Sequence, residues 1–121
     1  MTILIDSSIW VDFLRKPEGA SQELAAAIRL GQAVICPIIE VEVWSGLRGK
    51  REEAAYEKIV ELCPSLPMDE EAWKRSGDLR RKSLQKGLNC PLADVLIVAC
   101  ARRHGASVMH RDSHIEELLK L

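Results

Sequence analysis

The chain of 121 residues is long enough for one domain with a proper core and too short for two ordinary ones. Its 47% hydrophobic and 29% charged residues are the composition of a soluble globular protein, and 17 basic against 18 acidic side chains leave a net charge of -1. That balance excludes a global electrostatic claim on nucleic acid or membrane, so any such claim must rest on local distribution.

"TILI" (2–5) is a short β-branched and apolar run that stops at "DSS", which fits a buried strand ending at a helix start. No apolar run approaches the roughly 20 residues of a membrane span. Asp6 and Asp12 also interrupt what would have to be the apolar part of a signal peptide, so a cytoplasmic location is expected. A helix follows through "SIWVDFLR", closed by Lys16 and Pro17, and "ASQELAAAIRLG" (20–31) is a second helix ending on Gly31.

"AVIC" (33–36) predicts a second buried strand, with Pro37 opening the next element. "IIEVEVWSGLRG" alternates like a strand, but the strand just before it and the Gly46 and Gly49 punctuation favour a helix. "KREEAAYEKIVELC" (50–63) is a clear helix with Ala54, Ile59 and Leu62 as inward candidates, and "SLPM" (65–68) is a further strand candidate. "DEEAWKRSGDLRRKSLQKG" (69–87) opens on acids and closes on bases and Gly87, as the helix dipole favours.

The run "PLADVLIVACA" (91–101) reads as a buried helix closed by "RRHG", yet it carries Asp94 near its start. An unpaired buried carboxylate costs several kcal/mol, so Asp94 needs a partner or a cation. "ASVMH" (106–110) predicts the last strand and "DSHIEELLKL" the last helix. Cys36, Cys63, Cys90 and Cys100 show no C-x-x-C pair and no zinc-finger spacing, so they are expected to be free thiols.

Strands alternating with helices predict a parallel sheet covered on both faces, whose ligands sit beyond the carboxyl ends of the strands. Asp6 follows the first strand and Asp112 the last, so both belong at that edge. Glu40 or Glu42 would project there from the first turns of the helix after the second strand, and Asp94 from the first turn of its own helix. Taken singly, Asp6 and Asp112 are equally readable as helix N-caps.

Together, such acids would repel by about 4 kcal/mol per close pair at an effective dielectric of 20. A divalent cation removes the conflict, and an all-oxygen ligand set points to Mg²⁺ or Mn²⁺ rather than zinc. Such ions activate water and stabilise charge growing on phosphate oxygens.

The segments "ILIDSSIWVDFLR", "EVEVWSGLRG", "PLADVLIVACARRHGA" and "HRDSHIEEL" resemble, in order and spacing, the motifs of PIN-domain ribonucleases, most closely the VapC toxins of toxin-antitoxin modules. The likeness runs from about residue 3 to residue 118. It implies a single PIN domain over 1–121, a three-layer α/β/α fold with a short central parallel sheet.

The same likeness implies catalytic and metal-holding roles for Asp6, Glu42, Asp94 and Asp112. It selects Glu42, four residues before Gly46, and leaves Glu40 a bystander. Ser7 and Ser8 resemble residues that hydrogen-bond the acidic cluster. His110 departs from the threonine frequent in the family two residues before the fourth acid. The further implications are a Mg²⁺ or Mn²⁺ cofactor, an RNA substrate, a homodimer and a VapB-like antitoxin that blocks the site.

The expected activity is hydrolysis of RNA phosphodiesters by water activated at the cation. Substrate-contact candidates are Arg80 and Arg81, within a basic stretch of Lys74, Arg75, Lys82 and Lys86 that reads equally as a solvated helix face. His114 reads first as a surface histidine, with contact to substrate or orientation of a carboxylate as its functional alternative. Trp10, Phe13, Leu14 and Trp44 are read mostly as core, with a share available to an antitoxin groove or a dimer interface.

The alternatives are a non-catalytic binding module of the same fold and a PIN nuclease of RNA processing that has no antitoxin. A phospho-acceptor receiver domain needs a second acid after the first strand and a Lys near the last, and both are missing. A haloacid-dehalogenase-type phosphatase needs Asp at position 8, which is serine.

Overall fold

In the computed structural model, which describes residues 1–121, Ile3–Ile5 forms the central strand β1. It pairs in parallel with β2 (Ala33–Val34) on one side and β3 (Ser107–Met109) on the other. The register sets Ile3 beside Ala33 and Ser107, and Ile5 beside Met109. Parallel pairing obliges the three strands to end at one edge, and that edge carries the first and last acids.

The helices are α1 (Ser7–Arg15), α2 (Gln22–Arg29), α3 (Pro37–Ser45), α4 (Lys50–Leu62), α5 (Glu70–Gln85), α6 (Leu92–Arg103) and α7 (Ser113–Leu119). The ambiguous "IIEVEVWSG" run is the helix α3, with Pro37 in its first turn, where a missing N–H costs nothing. Gly31 sits at φ +68 just past α2, so it makes the left-handed C-terminal turn expected of it. No helix is long and apolar enough to cross a membrane.

Two sequence expectations fail. The segment 65–68 does not become a strand: it makes one bridge, Ser65 to Ile35, with Leu66 N–H donating to the Ile35 carbonyl at 2.7 Å. Pro67 follows immediately and has no N–H with which to continue a ladder. In α4 the inward stripe is Glu52, Tyr56 and Ile59, while Ala54 is exposed and Leu62 is 67% exposed. Glu52 can occupy the stripe because its Oε1 accepts the Arg48 N–H at 2.8 Å.

The core is divided between two clusters that meet at α6. Ile97, Cys100 and Ala101 join an 18-residue cluster with β1, β2 and α1 to α4. Val95, Val98 and Ala99 join a second one with Leu79 of α5 and Ile115 and Leu118 of α7. Each such aliphatic side chain contributes roughly 1.5–3 kcal/mol when removed from water. The helix that carries Asp94 is therefore held from two sides.

Asp69 caps α5, its Oδ1 accepting the Ala72 N–H at 2.9 Å, and it also receives two guanidinium nitrogens of Arg103 at the far end of α6. Those Arg103 hydrogen bonds hold the Asp69 carboxyl below its ordinary value. Asp69→Ala should lower the stability modestly, mostly through the lost cap, since a partly exposed ion pair adds little. Urea denaturation checks this, and an unchanged midpoint would remove the cap from the account.

Candidate metal centre

Asp6 follows β1 directly, at the N-cap position of α1, but its side chain makes no cap hydrogen bond. Its Oδ2 instead accepts from Ser8 Oγ at 3.2 Å. Ser7, one residue earlier, donates from Oγ to Glu42 Oε1 at 3.0 Å. The two serines thus hold two acids that are 36 residues apart in the chain.

Asp112 is a true N-cap: its Oδ1 accepts the N–H groups of His114 at 2.7 Å and Ile115 at 3.2 Å. No hydrogen bond reaches its Oδ2. The N–H of Asp112 donates to His110 Nδ1 at 3.2 Å, and His110 Nε2 lies 3.2 Å from Glu116 Oε2. The imidazole at the position where the family often has threonine therefore pins the loop that presents Asp112.

Asp94 differs from all of these. It is 8% exposed, in the first turn of α6, and its carboxylate accepts no hydrogen bond. The nearest nitrogen-bearing side chain is His114, whose Nδ1 lies 3.9 Å from Asp94 Oδ2 and 3.5 Å from Asp112 Oδ1. A cap role for Asp94 is thereby excluded, and the question its burial raises falls on the other acids.

Those acids face it. Burial, followed by the charges of Asp112, Asp6 and Glu42, pushes the Asp94 carboxyl up to about 6. Burial also raises Asp6 and Glu42, each further by a neighbouring acid and each partly relieved by its serine. The structure thus brings Asp6, Glu42, Asp94 and Asp112 into one electrostatic cluster. Glu40 is turned away, accepting from Ser65 Oγ at 3.0 Å.

An unpartnered buried carboxylate facing three others is a donor set suited to a hard divalent cation. Asp94, Asp112 and His114 offer three donor atoms within 4.8 Å of one another.

The basic stretch divides. Arg80 donates to the Cys90 carbonyl at 2.7 Å and to Asn89 Oδ1 at 3.2 Å, fixing the approach to α6. Lys82 holds the Leu121 carbonyl at 2.9 Å, and Arg75 pairs with Glu71. Arg81, Lys74 and Lys86 are exposed and unpaired. The anchoring roles of Arg80 and His110 were not readable in advance, because each depends on a loop carbonyl or amide placed by the fold.

Of the large apolar candidates, Trp10 and Leu14 are core. Phe13 lines a groove of about 540 Å³ with Ile9, Leu24, Met109 and Arg111, running beside the Asp112 loop. Trp44 is 50% exposed and lies against Tyr56.

Comparison with known proteins places this geometry in context. A family model described as the PIN domain matches residues 3–121. Ribonuclease VapC11 of Mycobacterium tuberculosis is 28% identical over 98% of this chain and 92% of its own. The fold is shared with VapBC2 from Rickettsia felis bound to a promoter DNA fragment (TM-score 0.83, 19% identity, 100% of this chain and 93% of that one). It is shared as well with a toxin-antitoxin complex from Klebsiella pneumoniae (TM-score 0.70, 21% identity, 93% of this chain and 88% of that one).

The raised carboxyls have a consequence for stability. Between pH 3.8, where Asp94 titrates when unfolded, and about 6, the folded chain holds a proton that the unfolded chain releases. This contribution to stability is therefore present at low pH and lost as pH rises through about 6. Asp94→Asn should raise the thermal midpoint of the metal-free protein at pH 7.5 by a few degrees, with a smaller gain at pH 5. A midpoint that stays level or falls would contradict the burial argument.

Proposed function

The chain belongs to the PIN domain family, and on that premise we propose that it is a Mg²⁺- or Mn²⁺-dependent endoribonuclease acting as the toxin of a toxin-antitoxin module. The observation that carries this reading is Asp94: 8% exposed, without a hydrogen bond, and facing Asp6, Glu42 and Asp112. The name of the VapC11 ribonuclease supports the activity.

When bound, the divalent cation supplies positive charge toward phosphate oxygens and lowers the pKa of water. The four carboxylates would hold it, with Ser7 Oγ and Ser8 Oγ fixing one oxygen each of Glu42 and Asp6 by hydrogen bonds. The N–H groups of His114 and Ile115 fix Asp112 Oδ1 and leave Oδ2 free to bind. Because α6 is packed against two cores, Asp94 would hold the cation in a fixed position relative to the phosphate, which is the positioning that phosphoryl chemistry rewards.

RNA reaches this acidic site through cations on and just after α5, with Arg81, Lys74 and Lys86 as the side chains free to contact phosphate. Arg81→Glu should weaken binding of single-stranded RNA and lower the salt slope by about 1, while Arg80 is unsuitable for this test because it anchors the 89–90 loop. An unchanged slope would remove Arg81 from the interface.

The partner implied is a VapB-like antitoxin, by likeness to the VapBC and toxin-antitoxin complexes. The groove lined by Ile9, Phe13 and Met109 offers it an apolar seat next to the site. Exposed Val41 and Trp44 on α3 offer an apolar face to the homodimer.

The deciding experiment is cleavage of total RNA by antitoxin-free protein with Mg²⁺ or Mn²⁺, with EDTA, and with Asp94→Asn. Discrete fragments that require both metal and Asp94 are expected. Intact RNA under every condition would favour the non-catalytic binding module.

A further inference from the structure

The geometry points to His114 as a nitrogen ligand of the cation, one that shifts the site's preference from Mg²⁺ toward first-row transition-metal ions. This inference rests on the metal site of the proposed nuclease and names the selectivity of that site.

His114 is the second residue of α7, and the turn that Asp112 caps also sets the histidine backbone, since its own N–H donates to Asp112 Oδ1. The ring is consequently brought back over the acids, with Nδ1 at 3.5 Å from Asp112 Oδ1 and 3.9 Å from Asp94 Oδ2. Donors on one octahedral ion with bonds of about 2.1 Å stand roughly 3 Å apart when adjacent and roughly 4.2 Å apart when opposite. The observed separations lie between these values, so a small rotation of an exposed ring completes the set.

A direct imidazole to carboxylate hydrogen bond is not made at these distances. Asp94 thus remains the buried, unpartnered carboxylate of the cluster with His114 the nearest donor nitrogen. The remaining histidines are committed elsewhere, His104 Nε2 to the Pro67 carbonyl at 2.7 Å and His110 to Asp112 and Glu116.

The chemistry of the addition is specific. A fifth carboxylate would deepen the repulsion among the acids, whereas a neutral imidazole adds a ligand without adding charge. Mg²⁺ prefers oxygen and keeps its waters, while imidazole binds more strongly along the series from Mn²⁺ to Co²⁺ and Ni²⁺.

The test uses the whole chain with the metal alone. Electron spin echo spectroscopy of bound Mn²⁺ should show nitrogen modulation in the wild type that is lost in His114→Ala and kept in His104→Ala. Calorimetry should show Co²⁺ affinity reduced by about tenfold or more in His114→Ala, with Mg²⁺ affinity changed by no more than about twofold. Absence of nitrogen modulation in the wild type, its persistence in His114→Ala, or equal losses for both ions would overturn the assignment. In those cases, metal binding that still depends on Asp94 leaves the nuclease reading standing, whereas Mn²⁺ binding undiminished in Asp94→Asn sinks that reading itself.

Discussion

The constraint on which the rest of the structure depends is the burial of the Asp94 carboxylate without a hydrogen bond. No hydrogen bond offsets it: its neighbours are apolar groups, the other acids and the His114 ring, whose Nδ1 stays 3.9 Å away. The fold makes this tolerable by fixing α6 between two hydrophobic clusters, so that moving the head of the helix out to water would give up buried Val95, Ile97 and Val98. Packing energy spread over the helix holds one unfavourable group at its head.

The other acids arrive at the same place by topology. β1 is flanked in parallel by β2 and β3, so Asp6 and Asp112 share an edge, and α3 leaves β2 in a direction that brings Glu42 to Ser7. Short hydroxyl contacts and two backbone amides orient three of the four carboxylates. Such a cluster costs stability when empty and is offset when a divalent cation binds, which couples metal affinity to folding. The family's chemistry and this chain's electrostatics lead to the same ion class.

Much of this was legible in the sequence for physical reasons. Asp94 stood out because an acid within a continuous apolar helix has few structural explanations, and Asp6 and Asp112 because strand ends predict a shared edge. Glu40 and Glu42 could not be separated by pattern, since both lie near the start of α3; two residues correspond to about 200° of helix turn, and only the fold decides which faces Ser7. The family likeness supplied that choice and the serines. The face of α4 was misread because a buried Glu52 needs a loop amide from Arg48 that no periodicity reveals, and the 65–68 strand because Pro67 ends its pairing after one bridge. The tethers made by Arg80 and His110 join segments whose proximity arises only on folding.

The central claim is that the acids at the sheet's carboxyl edge form one divalent-cation site. A crystal structure of the protein grown with Mn²⁺, with anomalous scattering collected at the manganese edge, tests it most directly. An anomalous peak is expected among Asp6, Glu42, Asp94 and Asp112, within about 2.0–2.6 Å of an Asp94 oxygen. A map at saturating Mn²⁺ with no peak there, or with Asp94 satisfied by a protein hydrogen bond instead, would contradict it.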